Sequence, residues 1–151
     1  MKLRIAYLLA TWFGCGRVAF APGTLGTLAA LPVFWLLREL GTYAVLAGAV
    51  AVTFVGIWAS GLVARASAVK DPQIVVIDEV AGLLVTLSPG AQGWSVVAGL
   101  VAFRIFDQVK PWPANVFEAR LPDGWGIVMD DVAAGAWAAL LLVAMRTWFG
   151  I

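Results

Sequence analysis

Apolar residues run almost unbroken through this chain, and its charges fall in short clusters between the runs. The longest run, Gly41 to Ala64, holds 24 residues and no charge. As a helix rising 1.5 Å per residue it reaches about 36 Å, enough to cross a hydrocarbon layer of about 30 Å with some tilt. Before it, Leu25 to Leu37 is apolar and broken only by Pro32. After it, Val80 to Leu87 and Trp94 to Phe103 flank Ser88-Pro89-Gly90-Ala91-Gln92-Gly93, a strong turn signal. Each arm is short for a full crossing, so the pair is expected as an extended tilted hairpin or a re-entrant one packed against the other helices. The last run, Val132 to Met145, carries Ala133-Ala134-Gly135-Ala136, small residues that let helices approach closely in lipid. Pro111 to Asp123 contains three prolines and reads as a loop. At the start, Ile5 to Phe13 is a short run leading into Gly14-Cys15-Gly16-Arg17 rather than a small-residue cleavage site, so it is expected to stay as a surface or entry helix. No run alternates as a membrane barrel strand does. The pattern predicts an all-α, integral membrane helical bundle with several transmembrane or re-entrant helices, forming one domain over residues 1–151.

Composition strengthens that expectation. The chain is 62% hydrophobic and 13% charged, with a mean hydropathy of +0.93. Soluble domains carry roughly a quarter charged residues. There is no histidine, and Cys15 is the sole cysteine. Intramolecular disulfides, histidine-ligated zinc and Ser-His-Asp chemistry are therefore excluded. A net charge of +1 leaves no nucleic-acid footprint.

Tracing the runs back and forth sorts the charges by side. Leu25 onward leaves a near side, and Arg38 with Glu39 marks the far one. Gly41 to Ala64 returns, the hairpin leaves at Asp78 and comes back at Asp107, and the last helix leaves from Asp131. Lys2, Arg4, Arg17, Arg65, Lys70, Arg104, Lys110 and Arg120 then lie near, and only Arg38 and Arg146 lie far. The positive-inside tendency makes the near side cytoplasmic. All acidic residues except Glu39 share it.

Four segments meet at that face. Gly16 to Thr27 contains Ala21-Pro22-Gly23-Thr24-Leu25-Gly26-Thr27, where glycine permits close backbone approach and the amides opening the next helix suit an anion. A Pro-Gly-Thr helix start taken alone is equally plain capping. Ile77-Asp78-Glu79-Val80-Ala81-Gly82 opens an apolar helix with two carboxylates, which by themselves would only favour the helix dipole. In Phe103-Arg104-Ile105-Phe106-Asp107-Gln108-Val109-Lys110-Pro111, Arg104 and Asp107 share a helix face. That spacing fits an intrahelical ion pair, with Lys110 reaching to headgroups. It also fits a site in which Asp107 ligates a metal while Arg104 and Lys110 neutralise a phosphate. Gly126-Ile127-Val128-Met129-Asp130-Asp131 places two aspartates at the expected start of the last helix, as a cap or as ligands.

Taken together, Asp78, Glu79, Asp107, Asp130 and Asp131 would repel one another without a cation. Oxygen-only ligands suit Mg²⁺, with Mn²⁺ as a substitute. Other phosphatase chemistries lack their residues. A C-x5-R thiol would need arginine where Ala21 stands, no D-x-D pair occurs, and Asp123-Gly124 is not followed by the residues of a CDP-alcohol phosphotransferase. Metal-activated water is left, with an aspartate nucleophile as the alternative.

In this order the four segments resemble the phosphatidylglycerophosphatase A family. The matching stretches are Ala21 to Thr27, Ile77 to Gly82, Phe103-Arg104-Ile105-Phe106-Asp107-Gln108-Val109-Lys110-Pro111-Trp112-Pro113, and Gly126 to Gly135. The resemblance implies a Mg²⁺-dependent, multi-pass enzyme of the bacterial inner membrane with its active site facing the cytoplasm. It would hydrolyse phosphatidylglycerophosphate to phosphatidylglycerol and inorganic phosphate. Carried over by motif, Asp78, Asp107, Asp130 and Asp131 become catalytic candidates, and these with Glu79 become metal ligands. Arg104, Lys110, Gly23, Thr24 and Thr27 become phosphate contacts. Some family members carry histidines before the Asp-Glu pair, where this chain reads Ala66-Ser67-Ala68-Val69-Lys70-Asp71-Pro72. Whether Lys70 or Asp71 joins the site is left open, as are the oligomeric state and the choice between crossing and re-entrant hairpin. Two rivals stand: a lipid phosphatase of broader range, and a non-catalytic transport or assembly subunit whose charges form an ion-pair network.

Overall fold

The computed structural model describes residues 1–149, and every regular element among them is helical. Helix α1 spans Lys2–Ala10 and is followed by a 3₁₀ turn at Cys15–Arg17. Then come α2 (Pro22–Ala29), α3 (Leu31–Glu39), α4 (Thr42–Ser67), α5 (Ile77–Leu87), α6 (Trp94–Val109), α7 (Ala114–Arg120) and α8 (Asp123–Phe149). Two helices, α4 and α8, are long and apolar enough to cross a membrane.

Helix α5 is the centre. Nine of its eleven residues are buried, and it packs against α1, α2, α4, α6 and α8. Its sequence is apolar all round below the opening Asp-Glu pair, as an enclosed helix requires. Leu83, Leu84, Leu87 and Phe103 join Phe34 and Leu142 in one core cluster, and Ile77 and Ala81 join Val63 and Val128 in the other. The outer face of α4 shows Leu46, Val50, Phe54 and Trp58 to the surroundings, an apolar exterior that water would not favour. Helix α1 lies on α4 through buried Ala6 and Ala10, and the Ala10 carbonyl accepts the Val76 amide at 2.9 Å.

The run at 25–37 is two helices separated at Ala30, with Pro32 in the first turn of α3, where its missing amide costs no helical bond. Two expectations need correction. The stretch from Pro111 to Asp123 is not a plain loop, because Pro113 caps α7 rather than ending a helix. Asp130 and Asp131 do not open α8. That helix starts seven residues earlier, where the Pro122 carbonyl accepts the Trp125 amide at 3.1 Å. Gly124 sits against the Ile57 carbonyl of α4, so the glycine-containing start is held by packing rather than by propensity.

Bonded charges lie at both ends of the bundle. At one end Arg38 donates to the Gln92 amide oxygen at 3.4 Å, and Arg146 donates to the carbonyls of Pro89 (2.6 Å) and Gly90 (3.2 Å). At the other, Arg65 pairs with Asp123, and Lys70 Nζ donates to the Glu118 carbonyl at 2.7 Å.

Candidate functional site

At this second end four helices and one connection enclose a polar pocket of about 390 Å³. Helix α5 supplies Asp78 and Glu79 from its first turn, α6 supplies Arg104, Asp107 and Gln108, and α8 supplies Ile127, Asp130 and Asp131. Lys110 closes α6 in a left-handed conformation (φ 47°) that turns the chain toward α7. Pro22 and Gly23 of α2, with Asp71, Gln73 and Val75 of the α4–α5 connection, complete the wall.

Three carboxylates converge. Asp78, Glu79 and Asp131 each offer an oxygen within 4.8 Å of the others. What brings them together is the crossing of α5 and α8, where a side chain on Gly135 would strike the Gly82 carbonyl and one on Gly82 would meet the Asp131 carbonyl at 2.7 Å. Bare backbone at both positions lets the helices touch. Glu79 Oε2 and Asp131 Oδ2 are buried and accept no hydrogen bond. Buried acceptors are normally satisfied, and like charges this close repel unless a cation lies among them. An all-oxygen set with two free acceptors therefore fits a hard divalent ion.

The other two acidic candidates line the same pocket and are each held by a base. Asp107 Oδ2 lies 2.9 Å from Arg104 Nη1 and accepts Gln108 Nε2 at 3.2 Å. The same guanidinium nitrogen stands 3.9 Å from Glu79 Oε1, so Arg104 spans the edge of the carboxylate cluster. Asp130 Oδ2 accepts Lys110 Nζ at 2.7 Å, and Glu118 of α7 accepts it at 2.8 Å. Burial opposes the charge on Lys110, but the bonds to Asp130 and Glu118 outweigh it and raise the ammonium pKa above its ordinary value. Lys110 is thus bound within the protein rather than reaching freely outward.

The glycine-rich segment divides. Gly23 lies on the wall, and a side chain there would collide with Glu79 Oε1 and come within 3.3 Å of Arg104 Nη1. Thr24 is exposed and does not line the pocket. Thr27 is fully buried, and its hydroxyl donates to the Gly23 carbonyl at 2.8 Å, a bond within its own helix. Four contributors were not singled out by the sequence or were left open. Asp71 and Gln73 flank Pro72 in the α4–α5 connection and line the pocket, and Gln108 follows Asp107 on α6. Glu118 is the one acidic residue of the proline-bounded segment, and its charge there was the available signal. Lys70 instead contributes, with Asp71, Glu118 and Asp130, to a smaller neighbouring pocket of about 260 Å³.

The family model for phosphatidylglycerophosphatase A matches residues 8–146. A phosphatidylglycerophosphatase A of Escherichia coli (strain K12) is 36% identical, with 90% of this chain and 80% of that protein covered. One of Haemophilus influenzae is 34% identical, with 94% and 89% covered. A Bacteroides thetaiotaomicron protein with the provisional name phosphatidylinositol-3-phosphatase is 37% identical, with 93% and 92% covered. No solved structure matches the chain.

Proposed function

The chain belongs to the phosphatidylglycerophosphatase A family, and we propose that it is a Mg²⁺-dependent phosphatidylglycerophosphatase working at the cytoplasmic face of a bacterial inner membrane. Its class is that of its family, a lipid phosphatase acting on a phosphate monoester. The observation that carries the finer reading is the carboxylate trio Asp78, Glu79 and Asp131 with its two unpartnered buried oxygens.

Those three residues would hold the ion, with Asp107 and Asp130 completing the acidic wall. The chemistry that such an ion supplies when bound is neutralisation of phosphoryl oxygens and a lowered pKa for attacking water. The rest falls to the side chains. Arg104 offers forked donors to the phosphoryl oxygens, and its Nη1, beside Asp107 and Glu79, makes no hydrogen bond of its own. Lys110 adds a second positive charge at the pocket wall, held in place by Asp130 and Glu118. Gly23 lets the α2 backbone come close to Glu79 and Arg104, and its neighbours Thr24 and Thr27 shape that turn rather than face the pocket.

The membrane placement rests on the two long apolar helices α4 and α8, the apolar exterior and the gathering of charge at one end. In this arrangement the α5–α6 hairpin re-enters, since the eleven residues of α5 rise only about 16 Å. Purified protein should release inorganic phosphate from phosphatidylglycerophosphate with Mg²⁺, stop in EDTA and resume when Mg²⁺ is restored. Absence of release under all three conditions would end the proposal. The Bacteroides relative's name favours one second reading, an inositol-lipid monoester as substrate. A panel of lipid phosphates separates the two: equal or preferred turnover of the inositol lipid selects the second.

A further inference from the structure

Between α7 and α8 runs a second concavity of a different kind, a groove of about 290 Å³ lined by apolar side chains. Phe117 forms one wall, and Met129, Ala133, Ala136, Trp137 and Leu140 follow one another along α8 on the other. Its upper end adjoins the polar pocket. Met129 directly precedes Asp130, and Pro113, also on the wall, lies three residues beyond Lys110, whose Nζ is bonded to Asp130. From Met129 to Leu140 the helix rises about 16 Å, the reach of much of a long acyl chain. Ala133 and Ala136 keep the floor low. Trp137 donates its indole N–H to the Trp112 carbonyl at 2.9 Å, and Trp112 is itself exposed. Trp137 stands seven residues beyond Asp130, about 10 Å along α8, so this bond ties the chain before α7 to the middle of the groove.

We propose that this groove seats one acyl chain of the lipid whose phosphate monoester enters the polar pocket. The inference rests on the lipid phosphatase reading and adds the subsite that makes the lipid, rather than its headgroup alone, the recognised ligand. A phosphate bound beside Asp130 leaves its lipid tail to run along an apolar channel, and this groove begins at Met129, the neighbouring residue on α8. A second apolar groove, between α4 and α8, shares Met129 and Val132 with the first and offers the competing path. Filling the α7–α8 groove should therefore penalise long tails and spare short ones.

The test compares wild type and Ala136→Trp on dipalmitoyl and dihexanoyl phosphatidylglycerophosphate in detergent. Ala136 is exposed on the groove floor, so the larger side chain occupies open space. With the dipalmitoyl lipid, kcat/KM should fall about tenfold, mainly through KM, while the dihexanoyl lipid changes by less than about twofold. Equal losses on both lipids, or no change on either, overturn the acyl subsite. Wild type inactive on both lipids overturns the phosphatase reading instead. A non-hydrolysable phosphonate analogue with a diazirine in one acyl chain reads the same question without turnover. Adducts should map to Phe117, Ala136, Trp137 or Leu140, which line this groove alone, and adducts without these, at Leu46–Ile57 of α4, would overturn the assignment.

Discussion

Asp131 stands in the middle of a helix turn, 4% exposed, with one carboxylate oxygen unpartnered and two other carboxylates within 4.8 Å. A cap cannot explain it there, since α8 begins at Asp123. Asp131→Asn should cut turnover by about a hundredfold or more while removing one of three like charges, so metal-free protein should melt no lower than wild type. The rise in Tm that Mg²⁺ gives the wild type should disappear in the variant. Thermal melts with and without Mg²⁺ check both halves, and an unchanged Mg²⁺ shift would remove Asp131 from the ion site. Arg104→Lys should lose about tenfold or more in kcat/KM, because an ammonium cannot present a fork. If the variant is silent, Arg104 is only the partner of Asp107. Lys110 plays a different part, since Asp130 is buried and depends on it. Lys110→Met should cost about 3 kcal/mol by leaving that carboxylate unpaired, read by denaturation in detergent. The folded-state pKa of Lys110 is raised, so its stabilisation is complete below the unfolded lysine value near 10.4 and fades as pH climbs through the folded value. Neutral pH leaves this contribution intact, and acid removes it as the partner carboxylates Asp130 and Glu118 take up protons.

Among the helices, α4 and the α5–α6 hairpin were legible because long uncharged runs and a Ser-Pro-Gly turn have few alternative conformations. Helix α7 and the first two turns of α8 were not. Pro113 and Pro122 stand just before helices, where proline bounds an element instead of breaking it, and a sequence alone does not tell the two uses apart. Gly124 and Gly126 weaken the intrinsic case for helix there, and contact with α4 overrides it. The site was legible as a set of charges but not in its pairing. Asp107 and Asp130 look equivalent to Asp78 and Asp131 until packing gives each a cation, and Thr27 looks like a phosphate contact until its hydroxyl is spent on Gly23. The α5–α8 crossing makes its own prediction. Gly135→Val forces the backbones of α5 and α8 apart and should cost about 1–3 kcal/mol with loss of turnover. The neighbouring Ala136→Gly should cost only about 1 kcal/mol, the helix-propensity difference, and a Gly135→Val protein with wild-type activity would contradict close contact at that point.

Across the whole molecule, polarity is distributed by end. The two arginines away from the pocket are occupied by Gln92 and by the carbonyls of Pro89 and Gly90, while Arg65, Lys70, Arg104 and Lys110 bond at the pocket end. In a Cys15→Ala background, Gln92→Cys should react with an impermeant maleimide from outside sealed cells, and Glu118→Cys only after permeabilisation. The reverse pattern would invert the proposed orientation. The pocket also opens at one end of the bundle only, which gives the reaction a sidedness. In the proposed membrane placement, lipid monoesters in the leaflet facing Gln92 would lie a full helix length from the carboxylates. In a sealed vesicle with the protein inserted one way, hydrolysis should stall once the reachable leaflet is spent, and the pace thereafter would be set by how fast lipid flips across.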